Sequence, residues 1–175
     1  MESLIVLARL RMEVGHFTKV DWCLTETRAI LTANSASLKR LSEERVLFLW
    51  CKYYHLQGKN FWRELYHQRS YEIFNEGIDF LKKYKGPFEK LQAKYLCKLY
   101  EGLAHLLCEP LLFDWAEELI DEAESIYLKT KKHLFTDFDV IKFMLKKSSF
   151  LKKYGFFDDS LKLLDQLNTQ LNVKF

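Results

Sequence analysis

The sequence predicts an all-α protein of eight helices paired into about four antiparallel hairpins. Only six Gly and two Pro among 175 residues leave little material for the tight turns that join short strands. Leu, Lys, Glu and Phe dominate the chain, and most of these are good helix formers. Apolar residues recur at three-and-four spacing, the period of one helical face.

Leu4, Leu7, Ala8 and Met12 share a face of a first helix, and Val20, Leu24, Thr27 and Leu31 a face of a second. Gly15, His16 and Phe17 form the turn between them. A third helix starts at Ser42, whose hydroxyl suits an N-cap, and runs through Val46, Leu49, Trp50, Tyr53 and Tyr54 to Gly58. A fourth begins near Asn60 and carries Trp62, Leu65, Tyr66, Ile73, Phe74, Gly77, Leu81 and Tyr84. That span makes it about two turns longer than its neighbours. Gly86 and Pro87 stop it and open the fifth, Phe88 to Leu106, because proline at a first helical position forfeits no needed hydrogen bond.

Asp114 and Glu117 have capping-box spacing and open a sixth helix through Trp115, Leu119, Ile120, Ala123 and Tyr127. A seventh carries Ile141, Met144, Leu145, Ser148 and Leu151 up to Gly155. The eighth runs from Asp158 through Leu161, Leu164, Leu167 and Leu171. The four hairpins cover residues 1–34, 41–85, 87–129 and 136–172 of a single domain.

A content of 49% apolar and 15% aromatic residues suffices for a core without staples. With 27 basic against 24 acidic residues, the net charge of +3 argues against a dedicated nucleic-acid binder. Cys23, Cys51, Cys97 and Cys108 are too far apart in sequence for a zinc or redox motif and read as buried hydrophobes. No window reaches the roughly 18 uncharged apolar residues of a membrane span. Glu2, Arg9 and Arg11 do not fit a signal peptide. The expectation is a soluble intracellular protein, cytoplasmic or nuclear, without membrane association.

Catalytic signatures are missing from the sequence: there is no His-Glu-x-x-His, Gly-rich phosphate loop or Gly-x-Ser-x-Gly elbow. His16, His55, His67, His105 and His133 lie far apart. Glu117, Glu118, Asp121, Glu122 and Glu124 alternate with Leu119, Ile120 and Ala123 near a helix start, which reads as a solvated face rather than a metal site. Lys146, Lys147, Lys152 and Lys153 read as solvated cations toward a helix C-terminus. The expected protein is not an enzyme and has no cofactor or metal.

Two stretches share a hairpin pattern: Leu7, Ala8, Gly15, His16, Phe17, Val20 and Leu24, then Tyr154, Gly155, Phe156, Phe157, Ser160, Leu164 and Leu167. This pattern resembles tetratricopeptide repeats, in which small residues let paired helices approach and large ones fill the interface. The second and third hairpins keep the second-helix half, with Ser70, Phe74, Gly77 and Ile78 in one and Ala116, Ile120 and Ala123 in the other. Their turns depart from it. The equivalent positions Val20, Ser70, Ala116 and Ser160 are spaced 50, 46 and 44 apart, against the usual 34, and longer fourth and fifth helices account for the excess. Arg28, Lys147 and Asn168 also depart from the family pattern.

The resemblance implies a right-handed α-α superhelix, a TPR-like solenoid, whose first helices line a concave groove. The groove residues would be Arg9, Lys52, Tyr53, His55, Lys98, His105, Ser149 and Lys152, a mildly basic set suited to an acidic segment of a partner. Tyr53 and Tyr100 would add amphipathic contact area. Ile5, Arg9, Phe48 and Lys52 stand where chaperone-tail binders need Lys and Asn, so that ligand is not expected.

Neither end of the sequence has a polar capping helix. The expectation is that the chain is part of a longer solenoid or that its ends are covered by another subunit, with Leu164, Leu167, Leu171 and Phe175 as a terminal interface; a subunit of a complex is favoured over self-association through the apolar ends. The expected function is a scaffold or adaptor. A peptide-responsive regulator is the first alternative. An RNA-binding helical repeat is the second, supported by Lys52, Tyr53 and Tyr54 alone.

Overall fold

The computed structural model describes residues 1–33, 41–108, 112–130 and 132–174, with the side chains of 129, 130, 132 and 170–174 outside that description. Among the described residues there are eight α-helices and no strand: α1 (Glu2–Glu13), α2 (Phe17–Thr32), α3 (Glu43–Arg63), α4 (His67–Lys83), α5 (Glu89–Cys108), α6 (Phe113–Ser125), α7 (Asp137–Lys153) and α8 (Phe157–Lys174). A π-helical turn over Ile126–Thr130 continues α6. Each odd-numbered helix packs on the even one that follows, and α1, α3 and α5 also lie side by side.

The hairpins share one construction. Ala8, Gly58, Ala104 and Ser148 on the first helices each stand twelve residues before Val20, Ser70, Ala116 and Ser160 on the second, and all eight are buried. In two pairs the contact is a hydrogen bond: the Ser70 hydroxyl donates to the Gly58 carbonyl at 2.8 Å, and the Ser160 hydroxyl to the Ser148 carbonyl at 3.0 Å. Backbones approach this closely because the side chains between them are small.

The turns repeat as well. His16, Tyr66, Leu112 and Phe156 donate their backbone N–H groups to the carbonyls of Arg11, Phe61, Leu107 and Leu151 at 2.8–3.1 Å. This is the closing bond of a helix C-terminal motif, and at His16, Tyr66 and Phe156 a residue in the left-handed conformation stands just before the donor. Gly15 and Gly155 supply it at φ +78° and +91°, and Leu65 supplies it at φ +63°. The second turn thus differs from the first and fourth in residue type and not in closure.

The sequence-based boundary at Gly58 needs correction. The third helix runs through Gly58 to Arg63, and the fourth begins at His67, so Trp62, Leu65 and Tyr66 do not belong to the fourth. Gly58 lies inside the helix because the fully buried Phe74 ring occupies the space of its missing side chain. The long helices are therefore α3 and α5, with 21 and 20 residues. The sixth helix is not opened by an Asp114–Glu117 capping box: its N-cap is Leu112, with no side-chain bond. A capping box occurs at α7, where Thr136 and Asp139 exchange hydrogen bonds.

The last hairpin docks through aromatic and ionic contacts. Phe113 stacks on Phe156 at 3.9 Å and on Phe150 at 5.8 Å. Lys147 reaches Asp121 at 2.8 Å and Glu124 at 2.5 Å, tying α7 to α6. The partners of Lys147 explain a charged residue at a position where the repeat pattern favours an apolar or small one. The four cysteines are free and buried. Among the described residues no helix is long and apolar enough to cross a membrane.

Candidate binding trough

Helices α3, α5 and α7 place side chains around a cavity of about 340 Å³. The spacing on each helix is that of a single face. His55, Lys59 and Trp62 come from α3, Lys98, Glu101, Gly102 and His105 from α5, and Lys146, Ser149, Phe150 and Lys153 from α7. Phe143 and Ile120 close its apolar side, beside Lys147.

Positive charge is concentrated here. Among the described residues Glu101 is the single carboxylate on the lining, and its Oε2 accepts from Lys146 Nζ at 2.7 Å. Neither Lys59 nor Lys98 has a carboxylate within ion-pair distance among the described residues. Burial, and then the neighbouring charges of Lys52, Lys94 and Lys146, push the Lys98 ammonium down to about 8. Burial followed by Lys146 and Arg63 lowers Lys59 as well. His105 is pushed down to about 4 by burial and by Lys153, Lys59 and Lys146, and His55 falls well below its ordinary value through burial and the charges of Lys59, Lys98, Lys52 and Lys146. Both imidazoles are therefore neutral at pH 7. His105 stacks on Trp62 at 6.1 Å with 12° between the rings, and its Nδ1 is buried without a hydrogen-bond partner, as is Glu101 Oε1.

Of the residues expected in the groove, His55, Lys98, His105 and Ser149 line this cavity. Arg9, Lys52 and Lys152 do not. Arg9 is exposed and pairs with Glu13 at 3.2 Å along its own helix. Lys52 is half-buried one helical turn beyond the cavity, its Nζ 5.5 Å from the Phe48 ring. Lys152 is exposed.

Tyr53 and Tyr100 are corrected to core residues, each 3% exposed. Tyr53 packs on Trp50 and Tyr54, because residue 53 falls on the face of α3 that meets the second helices. Sequence reasoning missed Lys59, Trp62, Glu101, Lys146 and Lys153. The first two follow at helical spacing from His55, had the third helix been carried past Gly58.

At the C-terminal end, Leu164 is 37% exposed, whereas Leu167 is 4% exposed and belongs to the core, so Leu167 is corrected out of the terminal interface. Leu161 takes its place on the outer face at 59% exposure. The side chain of Leu171, and Phe175 entirely, lie outside the described residues.

A larger hollow of about 480 Å³ lies among His67, Gln68, Tyr71, Leu106, Leu107, Leu112 and Trp115. It is apolar and converges no set of charged groups. Among the described residues, no three His, Cys, Asp or Glu side chains are placed to hold a metal ion. Comparison with known proteins gives no match to a family model, a curated protein or a solved structure.

Proposed function

We propose that this protein is a TPR-like helical-repeat scaffold that holds an acidic segment of a partner protein in the trough between α3, α5 and α7. The observation carrying this reading is the convergence of Lys59, Lys98, Lys146 and Lys153 from three helices on one cavity, with Glu101 as the only carboxylate among the described lining residues. Like charges held together at partial burial destabilise the free protein, and an anionic ligand relieves that repulsion as it binds. Trp62 and Phe150 add apolar surface beside the charges, the mixture of contacts that protein recognition uses.

The solenoid reading draws support from the twelve-residue pairing of small positions, repeated in all four hairpins. A role as a complex subunit draws support from the terminal helices, whose outer faces expose Val6, Leu10, Leu161 and Leu164.

The test is fluorescence anisotropy with a labelled oligoglutamate peptide and, in parallel, a labelled oligouridine. Saturable binding of the peptide that is lost in Lys59→Glu/Lys98→Glu supports the reading. Binding of the oligouridine without the peptide replaces it with RNA recognition, and binding of neither refutes it.

A further inference from the structure

Resting on the reading that the trough takes an anionic protein segment, we propose that this segment is phosphorylated, with its phosphoryl dianion seated among the ammonium groups of Lys59, Lys98 and Lys146. Two features point to a phosphoryl group rather than to carboxylates alone, and a third to a peptide rather than to free phosphate.

The first is the number of charges. Lys147 is satisfied by Asp121 and Glu124, and Glu101 offsets one of the four remaining lysine charges, which leaves three in excess across Lys59, Lys98, Lys146 and Lys153 among the described lining residues. A single carboxylate leaves most of that charge unmatched, whereas a phosphomonoester carries about −1.5 to −2 at pH 7.

The second is the chemistry of the donors. Among the described residues no arginine lines the cavity. Lysine binds phosphate as a point charge, with no plane of approach imposed by the donor. Ammonium groups approaching from three separate helices suit a tetrahedral group whose oxygens accept from several directions at once.

The third is what surrounds the charges, which favours a peptide over free phosphate. The cavity of about 340 Å³ is far larger than a phosphoryl group and continues onto Trp62, Phe143 and Phe150, where a neighbouring apolar side chain would pack. The buried Glu101 Oε1 lacks a donor, and His105 Nδ1 lacks any partner. A peptide backbone supplies both N–H and C=O groups, so it can serve either atom, whereas a phosphate ion offers little to a carboxylate oxygen.

The experiment uses the full chain and three immobilised degenerate peptide libraries, identical except for a central phosphoserine, glutamate or serine. Retention on the phosphoserine library about tenfold above the glutamate library is expected. It is lost in Lys98→Met and kept in Lys83→Met, which removes an exposed lysine of α4 away from the trough. Lys98→Met also melts at a higher temperature than the parent, because it removes repulsion, so its loss of binding is not a loss of fold.

Equal retention on phosphoserine and glutamate overturns the phosphoryl selectivity and leaves the acidic-segment reading standing. No retention on either library overturns both. Competition by inorganic phosphate as effective, mole for mole, as a phosphoserine peptide overturns the assignment to a protein segment.

Discussion

The ring of Phe74 occupies the place of a side chain at Gly58: a methyl group added there would meet it at 2.6 Å. Gly102 of α5 crowds the same edge of this fully buried ring, where an added methyl would meet it at 2.7 Å. The ring therefore has no room to retreat. Gly58→Ala gains about 1 kcal/mol of helix propensity but forces the interface apart, and a net destabilisation of about 1–3 kcal/mol is expected from overpacking. Urea denaturation measures it, and Phe74→Leu in the same chain should recover part of the loss. An unchanged midpoint in the single variant would show that the interface yields freely.

Leu65 closes the α3–α4 turn at φ +63°, a conformation that costs a residue with a Cβ about 1–2 kcal/mol. Its side chain is 73% exposed and contributes little packing in return. Leu65→Gly is expected to stabilise the protein by about 1 kcal/mol, less the extra chain entropy glycine brings to the unfolded state. Thermal melting is the check, and a lower melting temperature would mean that Leu65 makes a contact worth more than its strain.

His105 titrates at about 4 in the folded protein against 6.5 for the free side chain, owing to burial and to Lys153, Lys59 and Lys146. Glu101 faces the same cavity and offsets part of that repulsion. Between those two pH values the unfolded chain binds the proton more readily, so stability falls as pH drops from 6.5 toward 4. With discount for screening the loss is of order 2–3 kcal/mol. His105→Gln should flatten the slope of stability against pH in that window, and an identical slope in both proteins would assign the effect to other groups.

Lys147 holds its charge in spite of burial because Asp121 and Glu124 both accept from it, which raises its proton affinity. Lys147→Met leaves the two α6 carboxylates, Asp121 and Glu124, without the cation they share. The expected cost is about 2 kcal/mol, read as a shift of the denaturation midpoint that high salt diminishes. A salt-independent shift would point to lost packing instead.

The helical period made the eight helices legible in the sequence, and the repeating pattern of Val20, Ser70, Ala116 and Ser160 located the second-helix contacts. Gly58 was illegible because glycine ends some helices and admits a neighbouring ring into others. Only the position of Phe74 tells the two roles apart. That one boundary hid Lys59 and Trp62 from the trough. Lys146 and Lys153 were hidden differently: on a single helix they look like cations favoured by the C-terminus, and their approach to Lys59 and Lys98 depends on how three helices pack. Tyr53 was misplaced because a one-residue step turns a helical side chain by about 100°, from the trough side at Lys52 to the core.

The constant offset of twelve residues within each hairpin, set against spacings of 50, 46 and 44 between hairpins, confines all variation in length to the ends remote from the turns. Residues can be inserted there without disturbing the crossing points, so the architecture can grow taller walls while its floor stays fixed. Whole turns added to α3 and α5 would deepen the binding surface and carry new side chains into register with those already in place.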